Sequence, residues 1–409
     1  MSIGIKYWIF LKNYFYFFCL KKYILRAIIA LMNTFLEDIF MKIAICGDIS
    51  ITTTSWQAFE NVDVKTAFCD VADFFTTCDR VLVNLECAVT DRGVKIKKYG
   101  PNLNAPLNTV KTLNAAGVTD CMLSNNHIFD WGREGVEDTF KALRESDMAW
   151  TGFGENYEDS RKNHIIEKDG VKIAVVDVCE HEYTYALENR MGARPFDEFE
   201  TMDDIRKAKK EADVVIVIYH GGKEYCRYPS PRLLKACREM VRCGADAVFC
   251  QHSHCIGCYE FFEGGHILYG QGNFHFVGYD GQKGDEMWNT GLMAVIDIDP
   301  ESKKIDVEFI PVTKAENEQG IELAKGDLQR RLLLEFAARN AELASGEWKK
   351  GWHDFCVSKY NTYITGAARP TLESDLDDMQ LFCHYLDCEA HTDVWRELFY
   401  TWNHTNELD

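Results

Sequence analysis

The chain has 409 residues, 46% hydrophobic and 27% charged, which is the balance of an ordinary globular protein rather than a disordered one. Its length exceeds what one core usually fills, so a large domain with an appendage is expected, and a formal net charge of −19 argues against nucleic acid and anionic membrane surfaces as partners. Sixteen cysteines in a chain too long to need a disulfide framework read as reduced, buried thiols, which favours a cytoplasmic location.

Residues 1–40 are apolar and aromatic but broken by Lys6, Lys12, Lys21, Lys22 and Arg26, so no uncharged run reaches the ~18 residues of a membrane span. They are expected to be an N-terminal extension outside the fold, with an interfacial anchor, and hence membrane association, as the alternative. From Met41 the chain alternates strand-like and helix-like runs, the pattern of an α/β layered fold. Strands are expected at 42–46, 81–84, 119–123, 171–178, 213–219, 245–250, 266–270, 291–298 and 305–310. Val136, Phe140 and Leu143 mark a helix from Arg133 to Ser146, and Pro231 opens another that runs to Cys243 and stops at Gly244. Beyond Lys314, Leu328, Leu332, Leu333 and Phe336 recur at helical spacing, followed by Trp348, Trp352, Trp395 and Trp402. The expected organisation is therefore an extension (1–40), a main domain (41–315) and a helical C-terminal extension (316–409). The last either packs against the domain or forms a lid or partner surface.

Side chains that ligate or hydrolyse gather where the apolar runs stop. Gly47-Asp48 ends the first, Asn84-Leu85-Glu86 the second, and Asn125-Asn126-His127 with Asp130 the third. His220-Gly221-Gly222-Lys223-Glu224-Tyr225 and His252-Ser253-His254 end two more. In an extended segment His252 and His254 point the same way, which suits two nitrogens converging on one metal. Each residue alone has a plainer role: a turn aspartate, a helix cap, a core histidine. Five strand ends together point to a site at the carboxyl edge of the sheets.

With Gly132 and Gly272-Asn273-Phe274 added, this succession, over roughly residues 42–315, resembles the CapA family of bacterial capsule-synthesis (poly-γ-glutamate) proteins. That family is in turn similar to the calcineurin-like metallophosphatases. The resemblance implies a four-layer αββα sandwich with a two-metal site at strand ends. It implies that Asp48, Glu86, Asn126, His220, His252 and His254 bind metal, with Glu86 as the bridging carboxylate, and that His127 is catalytic with Asp130 orienting it. Three positions depart from the pattern: Ser50 stands where an Asp-x-His imidazole is usual, Gln251 where a Gly precedes the His-x-His, and Gly221 where a Trp follows the first histidine.

A donor set of imidazole, carboxylate and amide oxygen suits one or two Mn, Fe or Zn ions, which acidify bound water and hold phosphoryl oxygens. Histidine, with an ordinary pKa near 6.5, suits proton donation to a leaving group, the role expected of His127. The function expected is a metal-dependent, phosphoesterase-like hydrolase in capsule polymer synthesis. The alternative is a non-catalytic metal-binding module that binds polymer or a membrane capsule-synthase partner, as the missing imidazole would permit. Arg92 to Lys98 is a dense basic stretch, either a solvated loop or a guide for an anionic small-molecule or polymer substrate. Cys255-Ile256-Gly257-Cys258 is a lone C-x-x-C, read as a small-residue loop rather than a structural zinc or redox pair.

Overall fold

The computed structural model describes residues 40–403, apart from 280, 281, 283, 372 and 375, so the N-terminal extension falls outside the described residues but for its last one. Fourteen strands build two large sheets. In chain order they are β1 (Met41–Ile49), β2 (Arg80–Leu85), β3 (Asp120–Met122), β4 (Ala149–Thr151), β5 (His164–Lys168), β6 (Val171–Cys179) and β7 (Val214–His220). They continue with β8 (Ala247–Gln251), β9 (Tyr259–Phe262), β10 (Gly265–Leu268), β11 (Asn273–His275), β12 (Thr290–Ile298), β13 (Ile305–Lys314) and β14 (Ile321–Leu323). The first sheet has the order β14-β13-β12-β1-β2-β3-β4, with β11 also paired to β1, and the second has the order β9-β10-β8-β7-β6-β5.

Strand periodicity sorts the side chains into layers. In β1, Ile43 and Ile45 enter the core between the sheets, while Ala44 and Cys46 face the outer core of the first sheet. In β6, Ile173 and Val175 face inward, while Ala174, Val176 and Val178 face the outer core of the second. Both faces are covered, so these strands read as continuous apolar runs. The first sheet's outer face is packed by α1 (Thr109–Ala116) and α2 (Gly132–Glu145), the second's by α3 (Glu200–Glu211) and α4 (Pro231–Cys243). The fold is an α/β sandwich of four layers, αββα.

Local chemistry sets the helix ends. Ser230 caps α4 by accepting from the Leu233 N–H, Pro231 occupies its first turn, and Gly244 ends it in the left-handed region at φ 119°. Five further helices follow the sheets: α5 (Gly326–Ser345), α6 (Trp348–Ser358), α7 (Tyr360–Ala368), α8 (Leu376–Asp387) and α9 (Glu389–Asn403). Trp348, Trp352, Tyr363, Tyr385, Val394 and Leu398 join the outer core of the second sheet, so the aromatics among them do ordinary packing. Among the described residues no helix is long and apolar enough to cross a membrane.

Candidate functional site

β1, β2 and β3 are mutually parallel, as are β6, β7, β8 and β10, so their carboxyl ends lie on common edges. Asp48 pairs in register with Asn84 of β2 and with Asn273 of β11. Gly47 permits this arrangement, because a Cβ there would sit 2.3 Å from the Gly272 carbonyl oxygen. The sheets are tied together just beneath the site by Gln251, whose Nε2 donates to the Cys46 carbonyl at 3.0 Å and to Gln271 Oε1 at 2.9 Å. A glycine at position 251, as the family pattern has it, could not make that tie.

Asp48 is fully buried and accepts from Asn84 Nδ2 at 2.7 Å and from the His252 backbone N–H at 2.9 Å. Burial works against its charge, but the His220 and His254 imidazoles and the Asn84 amide outweigh burial and hold the carboxyl at about 2. His220, at the end of β7, lies 3.6 Å from Asp48 Oδ1 through Nδ1 and 3.5 Å from Glu86 Oε1 through Nε2. Burial alone would lower its pKa, and the two carboxylates raise it instead. Its Nε2 is also 3.0 Å from Asn126 Oδ1. Glu86 has no accessible surface, and among the described residues neither of its oxygens accepts a hydrogen bond. Its carboxylate and the ring nitrogens of His252 and His254 lie within 4.8 Å of one another.

The two histidines do not extend a strand, as alternation predicts. β8 stops at Gln251, and His252 and His254 have φ of 74° and 53°, in the left-handed region. They face one site because a strained turn brings them there, a backbone that non-glycine residues adopt where the surroundings enforce it. Asn273 Nδ2 donates to the Trp288 carbonyl at 2.9 Å, so its Oδ1 accepts from His254 Nδ1 at 2.8 Å and leaves His254 Nε2 as the ligand atom. His252 Nδ1 has no partner among the described residues, while its Nε2 is 3.1 Å from Glu182 Oε1.

The loop after β3 is shaped by Asn125, whose Oδ1 accepts from the backbone N–H of His127 and Ile128. It presents Asn126 toward His220 and Glu182, and it turns His127 so that Nδ1 meets Asp130 Oδ2 at 2.6 Å. Asp130 is itself fixed by the Leu103 N–H at 2.7 Å and by Lys98 Nζ at 2.5 Å. The structure thus brings all eight sequence-predicted residues to one edge. Asp48, Glu86, Asn126, His220, His252 and His254 cluster, and His127 with Asp130 stand beside them through Asn126.

Five participants escape the reading of strand ends. Lys98, within the basic stretch, is buried against His127 and Asp130 rather than solvated. Glu182, in the loop after β6, links Asn126 Nδ2 at 2.9 Å to His252. Burial opposes its charge, yet His252 beside it holds the carboxyl well below its usual range. Glu180 fills the space a side chain at Gly221 would need, since a Cβ there would lie 2.5 Å from Glu180 Cγ, which explains the missing tryptophan. Glu180 is gripped by Arg232 at 2.6 Å, Tyr219 at 2.8 Å and the Ala390 N–H at 3.1 Å, so α9 is docked at the site. His384 and His391 of the C-terminal helices complete the surroundings, and their H-x₃-C-x₂-H spacing with Cys388 is the signal that could have found them. The C-x-x-C carries no bridge; burial pushes Cys255 up to about 11, and Cys258 Sγ donates to the Arg227 carbonyl.

These donors can hold a divalent ion. A buried carboxylate without hydrogen-bond donors among the described residues, ringed by three imidazoles, is costly unless a cation satisfies it, and the donor set of nitrogen and oxygen suits a transition metal.

Comparison with known proteins agrees. The profile of the family described as "Bacterial capsule synthesis protein PGA_cap" matches residues 42–277. "Capsule biosynthesis protein CapA" of Bacillus anthracis is 30% identical over 249 residues, 59% of this chain and 61% of its own. "PGA biosynthesis protein CapA" of Bacillus subtilis (strain 168) is 30% identical over 60% of this chain and 65% of its own. "Probable polyglutamine synthesis accessory protein Rv0574c" of Mycobacterium tuberculosis is 25% identical over 58% of this chain and 66% of its own. The chain thus spans somewhat under two thirds of the Bacillus relatives it matches. Since the profile covers more than half of the sequence and every strand end that builds the site, the chain belongs to the CapA family of bacterial capsule synthesis proteins.

Proposed function

We propose that the protein is a metal-dependent hydrolase of phosphoesterase type that serves the synthesis of an anionic capsule polymer of poly-γ-glutamate kind. The observation that carries the proposal is the Glu86 carboxylate, which is buried beside His220, His252 and His254 and accepts no hydrogen bond among the described residues. Asp48, Glu86, Asn126, His220, His252 and His254 would hold one or two Mn, Fe or Zn ions. Such an ion acidifies water toward neutrality and stabilises charge on phosphoryl oxygens.

The chain's own residues do the rest. Asp130 takes the His127 Nδ1–H, which leaves Nε2 to give a proton to a leaving group. Lys98 Nζ, on the Asn126 carbonyl at 3.1 Å, pins the loop that carries both. A cavity of about 290 Å³ has Phe129 and Tyr183 in its wall, the neighbours of Asp130 and Glu182, though none of the strand-end residues themselves; its charged lining is Lys97, Arg190, His181 and His384 with Asp387, a mainly basic mouth suited to an anionic substrate. A larger cleft of about 870 Å³, lined by Phe199, Arg206, Lys235 and Arg396, is formed by α3, α4 and α9. Ser50 in place of an imidazole supports the second reading, a module that binds polymer or a membrane synthase partner without turnover.

The test compares parent, His127→Ala, Asp130→Asn and His252→Ala for metal content and phosphoester hydrolysis together. The hydrolase predicts that His127→Ala keeps its metal and loses on the order of 10²–10⁴-fold in rate. Equal rates for parent and His127→Ala, or no parent turnover above free metal, would leave the binding module.

A further inference from the structure

His384, Cys388 and His391 lie outside the family match, which ends at residue 277. Their spacing of four and three places them on one helical face. They straddle the junction of α8 and α9, where Cys388 is the single residue between the helices. Their ligand atoms lie within 4.8 Å of one another, and the two imidazole centroids are 4.3 Å apart. Cys388 has no accessible surface, His391 is buried, and His384 is half-buried at the basic mouth. Tyr363 Oη meets His391 Nδ1 at 2.6 Å, which fixes the ring and leaves Nε2 toward the cluster. A carboxylate completes the group, with Cys388 Sγ 3.5 Å from Glu182 Oε1, the oxygen that also meets His252. The nearby Lys223 ammonium is paired with Glu224 at 3.4 Å.

We propose that His384, Cys388 and His391, with Glu182 beside Cys388 as fourth donor, bind one zinc-like divalent ion in a second site that adjoins the strand-end centre through Glu182. Two imidazoles, a thiolate and a carboxylate are a tetrahedral zinc set and a poor one for Mg or Ca. Binding ionises the Cys388 thiol, so one proton leaves per ion bound. The inference holds whether or not the strand-end centre hydrolyses anything.

Cobalt distinguishes the two sites, because thiolate ligation gives a near-ultraviolet charge-transfer band and the strand-end donors include no sulfur. Cobalt titrated into the full chain should raise that band in the parent and in His252→Ala. Cys388→Ser should abolish it while unfolding as cooperatively as the parent, and His384→Ala should lower cobalt affinity by about tenfold or more. A parent without the band, or an equal band in Cys388→Ser, overturns the site. Should Cys388→Ser fail to fold, the half-buried His384 decides, and unchanged cobalt affinity in His384→Ala overturns it equally.

Discussion

Glu86 shows how a site residue is recognised by what it lacks: a carboxylate with no exposure and no donor among the described residues is sustained by neighbouring positive charge or by an ion. Glu86→Gln keeps the shape and removes the charge, so metal affinity should fall about 10–100-fold while thermal unfolding of the metal-free protein changes little, as titration calorimetry and melting would read. Asp177 makes a different prediction. Its Oδ2 accepts from the Leu123 and Ser124 N–H groups, its Oδ1 has no partner among the described residues, and burial raises its pKa to about 7 against those hydrogen bonds. A raised carboxyl favours folding below the unfolded value near 3.9 and loses that contribution as pH climbs through 7. Asp177→Asn should therefore stabilise the protein at pH 8 by on the order of 2–4 kcal/mol and do little at pH 4, as denaturant titrations at both pH values would show. Asp48, His220 and the His-x-His were legible because each ends an apolar run. Lys98 and Glu182 were not, because nothing in a loop's sequence says which neighbour it folds against.

At the scale of elements, the site depends on how closely β1 and β11 approach. Gly47→Ala would push its Cβ into the Gly272 carbonyl, shift Asn273 from His254 and weaken both packing and metal binding. A loss of about 1–3 kcal/mol is expected, against no change for Gly284→Ala, where a Cβ meets nothing. The two would be compared by chemical denaturation. Buried parallel strands such as β1, β6 and β7 were legible because both faces are apolar, and α4 because Ser230, Pro231 and Gly244 punctuate it. The edge strand β5 buries only Ile166, and β11 and β14 span three residues each, too short for periodicity to register. The docking of α9 was invisible because its Asp393 and Ala390 meet Arg232 and Glu180 across 161 and 210 residues of chain, Arg232 Nε to Asp393 Oδ2 being 2.9 Å.

For the molecule as a whole, His275 sets part of the acid limit. It sits between Phe59 and Phe68 with Nε2 on the Ala67 carbonyl, and burial lowers its pKa to about 4. A depressed histidine contributes stability above its unfolded value near 6.5 and loses it as pH falls through 4. Stability should decline by up to about 3 kcal/mol from this residue across that window, and His275→Phe should flatten the decline. If the pH profiles of parent and variant coincide, another group sets the limit. The strand-end donors have a consequence of their own, since Asp48 and His252 meet across 204 residues of chain. Unfolded polypeptide presents them scattered, so an ion there engages the native state alone, and by mass action a hundredfold excess over Kd adds about 2.7 kcal/mol. Three of the second site's four donors, His384, Cys388 and His391, lie within one short segment and keep their proximity when the sheets come apart, and only Glu182, 206 residues from Cys388, is lost. Free zinc should accordingly shift the melting midpoint far more through the scattered donors than through the contiguous ones.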